Sequence, residues 1–498
     1  MMMPKMTPPR PERLAMLDRF FGLSQHGTTV RTELLAGLTT FLTMAYIIFV
    51  QPAVLSGSLL GLETGMDFGA VTTATCLAAA LATAIMALYA RYPIAQAPGM
   101  GQNFFFVFSA LPAAAALIAQ ETAAGRLQPG ATSPWQIGLG VVFLSGVLFV
   151  LLSFFGVREM IMASISPSMR HAIAIGIGLF IAFIGLQNAS VVLKDPGTGL
   201  KLNARFDSPD LIIFFFGLLL TAGLYAARVR GAILWGILAT TVLAVAMKFA
   251  LPQLPAEISQ SKLVTESMLM TRFKIATAVV SPAPSMAPTF LKMDLVRALN
   301  WSMAPFILIF LFMVVFDTLG TLVGVSERAG LIKDNQLPRI RQAFMSDALG
   351  SVVGAAFGTS TVTSFIESAA GVEQGGRTGL TALTVAVLFL VALFFSPVIA
   401  MVGSYPPITA PALVVIGSLM MQGVTRLDWS NYAEAFPSFL VIVGIPLSYS
   451  IADGLALGFI AYPVVKLIAG QGRDVRWLTY VLAVVLLLYF ILVRAQLR

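Results

Sequence analysis

The chain has 498 residues, 58% of them hydrophobic and 11% charged, at a mean hydropathy of +0.88. Soluble domains are about 25% charged, so the composition excludes a set of globular domains and describes a polytopic membrane protein. The net charge of +8 does not mark a nucleic-acid binder, because its basic residues fall in short breaks between apolar runs, the pattern of cytoplasmic loops.

The apolar runs are helix-length rather than short and alternating, and a helix satisfies its own backbone hydrogen bonds in lipid. The single Cys76 lies inside such a run and cannot form an intramolecular disulfide. His26 and His171 alone cannot build a His-rich metal site. Redox and zinc chemistry are therefore not expected, and no cofactor is implied.

Residues 1–28 read as a cytoplasmic arm, with Lys5, Arg10, Arg13 and Arg19 and no apolar core leading to a small-residue cleavage site. The first span covers about 32–55 and ends at Gln51-Pro52. An acidic loop with Glu63 and Asp67 places 56–68 outside, and a second span at about 69–90 returns the chain to Arg91. The stretch Ala97 to Phe106 is too interrupted by Pro98, Gly99 and Gly101 to be a full spanning helix. Such breaks are tolerated at membrane depth only where they are buried in protein or line a cavity. Further spans are expected near 135–155, 168–187, 211–227 and 231–250, followed by a Pro-, Ser- and Met-rich outside linker at 252–299.

The pattern then begins again, with spans near 300–325 and 341–357, a second broken stretch at 358–371, and spans near 378–401, 406–424, 434–450 and 452–470. Arg328, Lys333, Arg339 and Arg341 mark the loop 326–341 as cytoplasmic. Each half thus has two spans before a Gly-rich break. In both, a proline (Pro167, Pro407) stands five residues before an alanine (Ala172, Ala412), followed by Ile175-Gly176 or Ile416-Gly417. An odd number of segments per half inverts the second copy, and paired broken segments in inverted halves point to a transporter's midplane binding site. One more apolar stretch, about 476–495, lies outside this scheme.

Within the second break, Glu367 follows Thr363 and Ser364 at one-turn spacing, and Arg377 comes after it. An acid at that depth costs roughly 3 kcal/mol on insertion scales, so it is expected to face a polar cavity and mark a pathway. A structural pair with Arg377, or a carboxylate satisfied by hydroxyls, is the alternative. Arg377 is better read as the cytoplasmic end of the segment. Asp317 lies midway in a span with no Lys or Arg between Trp301 and Ser326, which suits an acid that exchanges a proton during transport; a helix-to-helix hydrogen bond is the alternative. Asn103, with Gly99 and Gly101, offers an amide and close backbone approach to a planar ligand, and Phe104 to Phe106 offer aromatic faces or simple core packing. Asp453 reads as a cap or gate residue. Glu33 and Glu327, at span ends, read as solvated.

Several of these stretches resemble the AzgA-like purine permeases of the nucleobase cation symporter-2 superfamily: Ala97-Pro98-Gly99-Met100-Gly101-x-Asn103, Phe316-Asp317-x-x-Gly320-Thr321, and Thr363-Ser364-x-Ile366-Glu367-Ser368 through Gly375-Gly376-Arg377-Thr378-Gly379. Gly37 to Tyr46 and Ser448 to Gly454 fit as well, so the likeness spans about residues 15–470. It implies an all-α fold of about 14 transmembrane segments in a 7+7 inverted repeat, with UraA-like core and gate domains and two short broken segments. The core would be 29–163 and 300–402, the gate 164–251 and 403–470, and 471–498 an extra apolar helix. The implied activity is proton-coupled uptake of adenine, guanine or hypoxanthine across the cell inner membrane, with no enzyme chemistry. Asp317 and Glu367 would bind substrate and couple protons, with Asn103, Gly101, Phe104, Thr363, Ser364 and Thr321 around the base and a homodimer formed through the gate. Asp317, where pyrimidine- and xanthine-type relatives carry Glu, puts uracil and xanthine in doubt. Gln102 departs from the small or apolar residue expected at its position. The rival readings are an anion carrier of the sulfate-permease type and an intramembrane enzyme; with one Cys and one peripheral His in the spans, the latter is left with an Asp-based pair.

Overall fold

The computed structural model describes residues 12–59, 61–155, 166–331, 338–488 and 490–491, and the chain in it is overwhelmingly helical. Among these residues 11 helical stretches are long and apolar enough to cross a membrane, so the chain is a multi-pass membrane protein. Several start at a polar cap where the sequence supplies one. Asp67 accepts the Ala70 amide at 2.7 Å to open Phe68–Ile85. Ser166 accepts that of Met169 ahead of Pro167–Asn188, with proline at the first helical position, where its missing N–H is no loss.

The first broken stretch is a three-residue strand, β1 (Gln96–Pro98), running into the helix that begins at Met100. From there the chain stays helical to Ala123, so the expectation of a segment too broken to span holds only for its first residues. Pro98 and Gly99 stop the preceding conformation; after Gly101 the helix continues, and Pro112 is accommodated directly after a π-helical turn at Phe106–Ala110. An exposed hairpin pairs β2 (Val192–Asp195) with β3 (Gly199–Leu202). The second break contains β4 (Val362–Ser364), followed by a short helix, Ser368–Glu373. β1 and β4 pair antiparallel, with Gln96 opposite Ser364, Ala97 opposite Thr363 and Pro98 opposite Val362. The two interrupted segments therefore satisfy each other's backbone groups deep in the protein, as lipid requires.

The long helices pack in two groups. In one, Pro167–Asn188 lies against Pro406–Met420 and Tyr432–Ser448, with Pro209–Ala226, Ala232–Ala250 and Ile451–Ile468 beside them. Gly178 and Gly417 make the first of these crossings possible: a Cβ on Gly417 would sit 2.4 Å from the Gly178 carbonyl oxygen. The other group joins Val30–Met44 and Phe68–Ile85 to Gly379–Ala392, and Pro134–Phe155 to Ile340–Phe357 and Ala304–Arg328.

Glu33 corrects an expectation. It is fully buried rather than solvated. Its carboxylate accepts the backbone N–H groups of Arg377 at 2.9 Å, Thr378 at 3.2 Å and Thr381 at 3.2 Å, and the hydroxyls of Thr378 at 2.8 Å and Thr381 at 2.6 Å. The helix Gly379–Ala392 begins there, and its free N–H groups and positive dipole end need an anion where water is excluded. Glu33 reaches them because its own helix packs alongside. The Arg377 guanidinium caps the carbonyls of Val372 and Gly376 instead of pairing with Glu367.

The linker between the halves holds four short helices, of which Met268–Thr271 is pinned by Asp210: the Met268 and Leu269 amides and the Tyr405 hydroxyl donate to its carboxylate at 2.8, 2.9 and 2.6 Å. The extra apolar stretch forms a helix, Trp477–Leu488. Residues 489 and 492–495 of that stretch, the arm up to residue 11, Lys333, the side chains of Glu327 and Arg328, and the boundary at 163 lie outside the described residues.

Candidate functional site

Between the two helical groups lies a cavity of about 400 Å³. Gly101, Met313, Phe316, Asp317 and Thr321 line one side, and Pro167, Arg170, Ile177 and Met420 the other. Leu482 and Leu486 of the C-terminal helix complete the wall. Asp317 is not sealed in the core: its side chain is accessible, and it opens onto this cavity. The Gln102 amide donates to its carboxylate at 2.6 Å. Gln102, the residue that departs from the pattern, is thus the group that orients the acid. It is placed by the start of the helix after β1, where Gly99 leaves room for it: a Cβ there would lie 2.1 Å from the Gln102 Oε1 and displace the amide. Thr321 stands one turn beyond Asp317 on the same wall, and Gly101 keeps the wall open where a Cβ would meet Ile177 at 3.1 Å.

Glu367 is half-buried and accepts the Tyr46 hydroxyl at 2.9 Å. It lines a neighbouring cavity of about 500 Å³, with Thr43, Tyr225, Glu373 and Gln422. Ile366 and Met420 border both cavities. Asp317 and Glu367 therefore do not face one another across one space, because these two apolar side chains stand at the partition.

Other expected residues are placed behind the site. Asn103 is fully buried; its amide donates to Gln51 and its carbonyl accepts the Ser360 hydroxyl. Gln51 in turn donates to Thr359 at 2.9 Å. This closed network ties the helix after β1 to the residues ahead of β4 and leaves Asn103 no free group toward the cavity. Phe104 is also fully buried, in a cluster with Phe108 and Phe180. The phenylalanines lining the cavity are Phe312 and Phe316, stacked at 6.3 Å, and Phe459. Thr363 and Ser364 are buried in β4. Asp453 sits buried in the first turn of Ile451–Ile468, whose cap is Ser450.

Asp347 is an acid the sequence reading passed over. It is fully buried and accepts the Thr318 hydroxyl, the Ser364 hydroxyl at 2.8 Å and the Ser364 amide at 3.2 Å. It thus joins β4 to the residue next to Asp317. The same rule that singled out Asp317 would have found it, since Ile340–Phe357 has no basic residue after Arg341.

A membrane-embedded cavity with a carboxylate on one wall, set between two helical bundles and beside two crossed broken segments, defines a transporter. The chain belongs to the Permease family, whose model (Xan_ur_permease) matches residues 31–457; this is the nucleobase cation symporter-2 group, with purine permeases as homologues. It is 40% identical over 488 residues to the guanine/hypoxanthine permease PbuG of Bacillus subtilis, covering 96% of this chain and 100% of that one. It is 37% identical over 482 residues to the adenine permease AdeP of Escherichia coli, covering 97% of each. Among solved structures, the transmembrane domain of the cyanobacterial bicarbonate transporter BicA shares the fold at a TM-score of 0.57 and 13% identity, over 86% of this chain and 96% of that one.

Proposed function

We propose that the protein imports purine nucleobases together with protons across the inner membrane, by alternating access. The observation that carries this reading is Asp317, a carboxylate held by Gln102 and open to the cavity between the two helical groups. A purine ring presents N–H donors that such an acid accepts, and bonds to an ionised acceptor are roughly twice as strong as neutral ones. The relatives named as guanine/hypoxanthine and adenine permeases support a purine as cargo.

Coupling follows from the cost of moving an uncompensated charge through the bilayer. A carboxylate that must hold a proton or a donor before its domain moves links proton flow to substrate flow. In this reading residues 29–163 and 300–402 form the moving core and 164–251 with 403–470 the gate, which also carries the dimer contact. Glu367, bordering the adjoining cavity past Ile366 and Met420, serves as the second proton-handling acid on the path. The N-terminal arm faces the cytoplasm.

The test is uptake of labelled hypoxanthine, guanine and adenine in cells lacking their own permeases, with and without a protonophore. Purine uptake that collapses with the protonophore is expected; uptake indifferent to it removes the coupling. Arg170 is a cation in the cavity and gives the anion-carrier reading its one supporting observation. Uptake of bicarbonate or sulfate without purine uptake would decide for that reading.

A further inference from the structure

Arg170 has no part in the mechanism above. It is the fourth residue of Pro167–Asn188, and it lines the same cavity as Asp317 from the opposite helical group. Its guanidinium carbon lies 6.0 Å from the centroid of the Phe316 ring. Its Nε is buried with no hydrogen-bond partner, and no carboxylate among the described residues pairs with the side chain. Structural arginines in membrane proteins are normally paired or reach water. This one keeps a buried donor idle beside an aromatic face.

A guanidinium is a planar fork that only donates. The two purine classes differ at the edge such a fork reads. In the N9–H form, hypoxanthine and guanine present two adjacent acceptors, O6 and N7; adenine presents the N7 acceptor beside an amino donor. Arginine matches the first edge and sets donor against donor at the second. We propose that Arg170 is a specificity-determining residue that selects 6-oxopurines over adenine, with Phe316 against the ring face and Asp317 accepting an N–H from another edge of the base. The proposal rests on the purine reading above and names the class of purine within it.

The test is competition of labelled hypoxanthine uptake by unlabelled hypoxanthine, guanine and adenine, in cells expressing the full chain, Arg170→Lys or Arg170→Gln, with the membrane content of each measured. Glutamine pairs the N6/N7 edge of adenine as arginine pairs O6/N7. In the unaltered protein adenine should compete at least about fivefold more weakly than hypoxanthine, the low end for one bidentate pair. Arg170→Gln should narrow or invert that ratio through KM with kcat largely kept, and Arg170→Lys should preserve the order. An unchanged ratio in an active Arg170→Gln protein overturns the proposal, as does a common fall in kcat for every base in both variants. If Arg170→Gln does not reach the membrane, hypoxanthine and adenine binding to the purified unaltered protein decides, and a preference for adenine overturns it. An unaltered protein that takes up no purine removes the purine reading and this proposal together, whereas an unmoved ratio removes only the role of Arg170.

Discussion

Asp317→Asn should cut the kcat/KM for purine uptake about 10- to 150-fold and abolish accumulation against a gradient, with the protein still inserted. The first figure is the loss of one hydrogen bond to a charged acceptor, about 1.5–3 kcal/mol. The second follows because an amide does not carry a proton. Asparagine keeps the shape and can still take the Gln102 amide that Asp317 accepts at 2.6 Å, so folding should be spared. Initial rates at several concentrations, normalised to membrane content, check the first part, and the plateau of accumulation checks the second. A variant that still concentrates purine would remove Asp317 from the coupling.

Glu33→Ala should have the largest effect on stability. The carboxylate receives three backbone N–H groups and two hydroxyls at the start of Gly379–Ala392. Each buried donor left without a partner costs about 1–3 kcal/mol, so even with partial relaxation the loss is at least about 3 kcal/mol, a large share of typical stability. The expected result is little folded protein after detergent extraction, seen as loss of the monodisperse peak on size exclusion. Glu33→Gln, which keeps an acceptor, should be milder. Equal yields for Glu33→Ala and the unaltered chain would mean that water reaches this helix end.

Comparison of the sequence with the structure separates what hydrophobicity encodes from what packing decides. The spans were legible because runs such as Pro134–Phe155 are long, apolar and unbroken. The two interruptions were legible because Pro98 with Gly99 and Gly101, and in the second half Gly358, disfavour a continuous helix; Gly358 takes the left-handed conformation (φ +99°) that ends Ile340–Phe357. That β1 and β4 pair was not, since a three-residue strand has no periodicity to read. Depth was legible for Asp317 and Glu367, but facing was not: which wall each acid meets depends on how Ile366 and Met420 sit between the cavities. Asn103 looked available because an amide in a glycine-rich break usually is; Gln51 and Ser360, distant in sequence, occupy it. Glu33 looked solvated because it opens a helix, and its burial is imposed by the neighbouring helix end. Arg170, which lies between the repeat positions Pro167 and Ala172, carried no sequence signal of its own.

The most direct test of the central claim uses the purified protein in liposomes with an imposed pH gradient, acidic on one side, and labelled hypoxanthine outside. Purine accumulation driven by the gradient, lost when the gradient is collapsed and lost in Asp317→Asn, is the predicted result. Purine movement that ignores the gradient, or proceeds undiminished in Asp317→Asn, would contradict it.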